Sequence, residues 1–65
     1  MPELIVENMT CAHCARAVTE ALRAADPAAE VAVELAAGRV AVESALAPER
    51  LAAAVAAAGY PARPA

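Results

Sequence analysis

Cys11 and Cys14 are the only thiols in this 65-residue chain, and they stand three apart in Met9-Thr10-Cys11-Ala12-His13-Cys14. At that spacing on the first turn of a helix, two side chains lie on nearly the same face and both sulfurs can converge on one ion. The free N–H groups and positive dipole end of a helix start favour thiolate over thiol. Two thiolates with few other donors suit a soft cation of low coordination number, and Cu(I) answers that description. Zinc answers it less well. It takes four ligands, and beside the pair stands only His13, whose position next to Cys14 turns its side chain about 100° around the helix. A second chain or a partner would have to complete a zinc site. The same spacing also serves thiol–disulfide exchange where a strand enters a helix. The chain is short for a thioredoxin-like fold, however, and lacks both Trp and a Gly-Pro beside the cysteines. A resting disulfide is disfavoured in a reducing compartment.

The residues around the pair each have a plain reading as well. His13 reads first as an exposed residue at a helix start, with a part in tuning the thiols or in a site shared by two chains as the alternative. The Met9 thioether could bind Cu(I), yet its apolar neighbours place it in the core. Tyr60 either closes the end of the sheet over the second helix or approaches the cysteines. Arg16, Glu20 and Arg23, at i,i+3 and i,i+4 spacing, read as a solvated face of ion pairs, with partner docking as the alternative.

These residues need elements to hold them. Glu3 to Glu7 is rich in β-formers, with Leu4 and Val6 on one face, and predicts a strand. From Ala12 to Ala25 the positions Cys14, Ala17/Val18, Ala21/Leu22 and Ala25 recur at helical spacing, and Asp26-Pro27 ends the helix. Glu30 to Leu35 alternates Val31, Val33 and Leu35 against Ala32 and Glu34, and Val40 and Val42 repeat the period after Gly38, so two strands joined by a hairpin are expected. Pro48 suits the first turn of a second helix whose stripe is Leu51, Ala54/Val55 and Ala58, with Gly59 as its C-terminal cap. Tyr60 to Pro64 is the last short strand, and Pro61 and Pro64 confine it to a sheet edge. The order strand, helix, strand, strand, helix, strand, with right-handed crossovers, is the βαββαβ ferredoxin-like arrangement: an α+β domain with a four-stranded antiparallel sheet and both helices on one face. Residues 1–65 form that single domain.

Composition narrows the function. Of the 62% apolar residues, 22 are alanine, so the large side chains available to a core are few. Eight Asp/Glu against five Arg give a net charge of −3. The arginines are scattered at 16, 23, 39, 50 and 63, and Tyr60 is the sole aromatic. Nucleic-acid binding, which needs a clustered basic face or stacking platforms, is therefore not expected. Met1-Pro2-Glu3 opens no signal peptide, and the run Leu51 to Tyr60 is about half the length of a spanning helix, so neither export nor membrane insertion is expected.

The motif and its scaffold together resemble the heavy-metal-associated domain family. Met9-Thr10-Cys11-Ala12-His13-Cys14 is similar to its M-x-C-x-x-C motif, in the version found in small bacterial cytosolic copper chaperones. Val6, Val18, Leu22, Val31 to Leu35, Gly38, Val40, Val42 and Gly59-Tyr60 fall in the family's register. The resemblance implies that Cys11 and Cys14 bind Cu(I), that Met9 packs beneath the metal loop without ligating, and that Tyr60 approaches the site from outside the ligand set. Members handling zinc, cadmium or lead often carry an acid just before the first cysteine, where this chain has Thr10. Asn8 departs from the family's usual glycine, and its tolerance of left-handed backbone implies an altered loop with the site retained. The function implied is a cytoplasmic copper chaperone, not an enzyme. It would pass Cu(I) by ligand exchange to the metal-binding domain of a copper-transporting P-type ATPase or to a copper-responsive regulator, as a monomer or a copper-bridged dimer. An excised ATPase domain and a thiol–disulfide oxidoreductase are the alternatives, and the initiator-like Met1 favours the free chaperone over the first.

Overall fold

Strand β1 (Glu3–Val6) buries Leu4 and Val6 on one face and leaves Glu3 exposed on the other, as a period of two requires. The computed structural model describes residues 2–65. Helix α1 (Ala12–Ala25) starts from an extended Cys11. It stops at Asp26, whose φ of −146° and ψ of 100° are the extended values favoured before a proline. Strands β2 (Glu30–Glu34) and β3 (Arg39–Glu43) pair in antiparallel register from Glu30↔Glu43 to Glu34↔Arg39. Gly38, at a φ of +64°, turns the hairpin between them. Helix α2 (Pro48–Ala57) has its proline in the first turn, where the missing N–H leaves no gap in the helix ladder. It ends in a Schellman arrangement: Tyr60 N–H donates to the Val55 carbonyl at 3.4 Å and Gly59 N–H to that of Ala56 at 3.0 Å, with Gly59 at a φ of +103°. Strand β4 (Ala62–Pro64) pairs only with β1 and forms an edge, where its proline breaks no ladder.

The sheet order is β2-β3-β1-β4, every pair antiparallel, which is the ferredoxin-like βαββαβ topology. Leu4, Val6, Val40 and Val42 line the face that the helices cover, meeting Val18 and Leu22 of α1 and Leu51 and Val55 of α2. Each fully buried Leu or Val contributes about 1.5–3 kcal/mol. With so few of them, small residues must close the packing, and Ala29 and Ala52 are buried in the same cluster.

Three expectations need correction. Leu35 is not a strand residue: it begins the hairpin turn, its carbonyl accepting from Gly38 N–H at 3.2 Å, and it is 37% exposed. The last strand begins at Ala62 instead of Tyr60, because the backbone of Tyr60 is engaged in closing α2. The stripes of both helices end early, since Ala25 and Ala58 are exposed where each helix terminates, and Ala52 takes the buried place beside Leu51.

Candidate metal centre

The site is the turn between β1 and α1. Asn8, at a φ of +65°, makes the left-handed bend that a short polar residue tolerates. That bend drives Met9 inward, to 3% exposure within the core cluster, and returns Thr10 and Cys11 to the surface. Cys11 is the N-cap residue of α1, with φ −149° and ψ 168°, and its carbonyl accepts the first helical bond from Ala15 N–H at 3.0 Å. Cys14 follows on the first turn and packs half-buried against the core cluster.

The two sulfurs lie 3.1 Å apart and both are free thiols. Cys14 is shifted from the ordinary thiol value of 9.0 to about 6. The chief cause is the hydrogen bond with the Cys11 thiol, followed by the Tyr60 hydroxyl and the backbone of Thr10; partial burial opposes them. The facing Cys14 in turn pushes the Tyr60 hydroxyl above its ordinary value. Tyr60 reaches Cys14 because the Schellman turn and Pro61 bring the start of the last strand alongside the metal loop, where Glu7 N–H donates to the Pro61 carbonyl at 2.8 Å.

The structure thus brings Cys11, Cys14 and Tyr60 together. Met9 lies in the core below them, while Thr10 and His13 are exposed. Among the described residues no three His, Cys, Asp or Glu side chains converge. Two supports escape a reading of the sequence. Val6 N–H donates to the Gly38 carbonyl at 2.8 Å, and a side chain at Gly38 would meet the Val6 carbonyl at 3.3 Å. The hairpin and the Pro61 turn therefore clamp the base of the metal loop from two sides. Glycine at 38 was the available signal, but not its contact with β1.

Residues 3–61 match the heavy-metal-associated domain. Comparison with curated proteins gives no significant match. Among solved structures, a gold-binding protein is 34% identical and superposes with a TM-score of 0.94 over the full length of both chains. Copper chaperone Atx1 of Synechocystis PCC6803, in a trimeric copper form, is 41% identical with a TM-score of 0.89, over 94% of this chain and 97% of that one. A cyanobacterial copper metallochaperone solved in solution is 39% identical, with a TM-score of 0.74 over 97% and 100% of the two chains.

Proposed function

This chain belongs to the heavy-metal-associated domain family, and from that premise we propose that it is a copper chaperone holding Cu(I) between Cys11 and Cys14. The observation that carries the reading is the pair itself: two free sulfurs 3.1 Å apart at a helix start, with no third ligand among the described residues. Two thiolates suffice for Cu(I) and leave Zn(II) two ligands short. Likeness to copper chaperones at 39–41% identity supports the same choice.

Thiolate–metal bonds of about 2.3 Å set the sulfurs up to about 4.6 Å apart when the ion lies between them. Loading therefore spreads the pair. Cys11 supplies the movement, since it is exposed and precedes the helix, while Cys14 is fixed on the first turn and packed against the core. Transfer follows from the same asymmetry. A recipient thiolate forms a third bond to the ion on the open side, the Cys11–metal bond breaks next, a second recipient thiolate takes its place, and the Cys14–metal bond breaks last. The ion keeps its oxidation state and is never released to water. Met9 acts as packing under the loop, and Tyr60 steadies negative charge on Cys14 without ligating.

The recipients we propose are the metal-binding domain of a copper-transporting P-type ATPase and a copper-responsive regulator. The compartment is the cytoplasm, where reducing conditions keep both thiols available. To test this, the Cu(I)-loaded chain is mixed with the apo metal-binding domain of such an ATPase, the two are separated, and copper is counted in each. The metal should redistribute within mixing time; copper retained wholly on the donor would overturn the chaperone reading.

A further inference from the structure

Strand β2 is an edge of the sheet: it pairs with β3 alone, and among the described residues no strand pairs with its other side. Which backbone groups that side offers follows from the register. Val42 N–H donates to the Pro2 carbonyl at 2.9 Å, on the β1 side, so the neighbouring Ala41 and Glu43 turn their N–H and C=O toward β2. Their partners Ala32 and Glu30 turn inward to meet them, which leaves the N–H and C=O of Val31 and Val33 pointing out of the sheet. The opposite edge, β4, is shorter and contains Pro64, which has no N–H to offer.

The sequence of β2, Glu30-Val31-Ala32-Val33-Glu34, reads the same in both directions. A two-fold interface needs a surface complementary to itself, and a palindromic strand paired antiparallel supplies one. Centred on Ala32, the pair sets Ala32 against Ala32 and Val31 against Val33, whose half-buried side chains already pack on the core. It also sets Glu30 against Glu34 at each end, and like charges directly opposite are unfavourable. Neither glutamate is balanced within its own chain. Glu30 stands opposite Glu43, while Arg39, opposite Glu34, has its guanidinium on Glu3 at 3.0 Å.

We propose that the β2 edge is a pairing site for a second copy of this chain, kept vacant by Glu30 and Glu34. The strand has the backbone and the symmetry of a dimer interface together with the charges that oppose it, so an edge able to template a longer sheet stays single. The metal site has no part in this inference.

Charge reversal tests it, because it separates the register from the net charge. In Glu30→Lys the two-fold pair sets a lysine against Glu34 at both ends; in Glu30→Lys/Glu34→Lys it sets lysine against lysine. Each exchange adds two charges, so the net charge goes from −3 to −1 in the single variant and to +1 in the double, equal in size. Sedimentation equilibrium of the reduced, metal-free proteins, up to millimolar concentration, should find Glu30→Lys self-associating roughly tenfold more tightly than the parent. The double variant should stay monomeric, and its equimolar mixture with the parent, where every lysine meets a glutamate, should associate. Amide hydrogen exchange locates the contact: the N–H groups of Val31 and Val33 should exchange freely in the parent and be protected in Glu30→Lys. A monomeric Glu30→Lys, equal association of the two variants, or protection that spares Val31 and Val33 overturns the proposal.

Discussion

Tyr60 and Cys14, 46 positions apart in the chain, face one another across the metal loop, and each changes the other's hold on its proton. The Cys11 thiol makes Cys14 acidic, and the Tyr60 hydroxyl and then the Thr10 backbone add to this. The first prediction is kinetic. In the metal-free protein, alkylation of Cys14 should reach half its maximal rate near pH 6. Tyr60→Phe should move that midpoint upward, and Cys11→Ala, which removes the donor, should move it further, since Cys11 is the larger cause. Mass spectrometry of iodoacetamide-treated samples across pH reads it, and a midpoint unmoved in both variants would contradict the arrangement.

The second prediction separates core from surface leucines. Leu22 is fully buried between α1 and the sheet, so Leu22→Ala should cost about 2–5 kcal/mol. Leu35→Ala, on the exposed hairpin, should change stability by about 0.5 kcal/mol or less. Urea unfolding of the two variants against the parent checks both.

Backbone geometry gives the third. Asn8 and Gly38 both sit at left-handed φ, 65° and 64°. Asn8→Gly should be near neutral in stability, while Asn8→Ala should cost about 1 kcal/mol. Gly38→Ala carries the same penalty and also brings a methyl group to 3.3 Å from the Val6 carbonyl, so it should cost more than Asn8→Ala. Equal losses for the two alanine variants would show that the hairpin does not press on β1.

Far from the cysteines, Asp26 joins two loops. It accepts from the Ser44 hydroxyl and, at 3.1 Å, from Ala28 N–H, while Ser44 Oγ accepts from Leu46 N–H at 3.1 Å. The Ser44 bond, then the Ala28 N–H, hold the Asp26 carboxyl below its ordinary 3.8. A carboxyl lowered on folding adds stability that is fully present above the unfolded value and is lost as pH falls through the folded one. Ser44→Ala should therefore lower the urea midpoint at pH 7, and the gap from the parent should close in strong acid. A gap of the same size at both pH values would contradict the bond's role.

Much of this was legible in the sequence for definite reasons. Leu4/Val6 and Val40/Val42 alternate at the strand period, Asp26-Pro27 and Gly59 stop the helices, and Cys11 and Cys14 are the only thiols. What escaped was of two kinds. Alanine gives no contrast within a helix, so buried Ala52 and exposed Ala58 read alike before packing separates them. The contacts Asp26–Ser44 and Val6–Gly38 join residues far apart in the chain, and neither residue type announces its partner. Leu35 shows both limits, since it continues the alternation of Val31 and Val33 but the turn has already begun.

The central claim is a two-sulfur Cu(I) site, and the most direct measurement is an anaerobic competition titration of the reduced chain with Cu(I) and with Zn(II) against chromophoric chelators. It is repeated on Cys11→Ser/Cys14→Ser. The account predicts tight binding of Cu(I), weak binding of Zn(II), and loss of tight Cu(I) binding in the double variant with its circular dichroism unchanged. Tight Zn(II) binding by the parent, or Cu(I) affinity undiminished in the double variant, would contradict it.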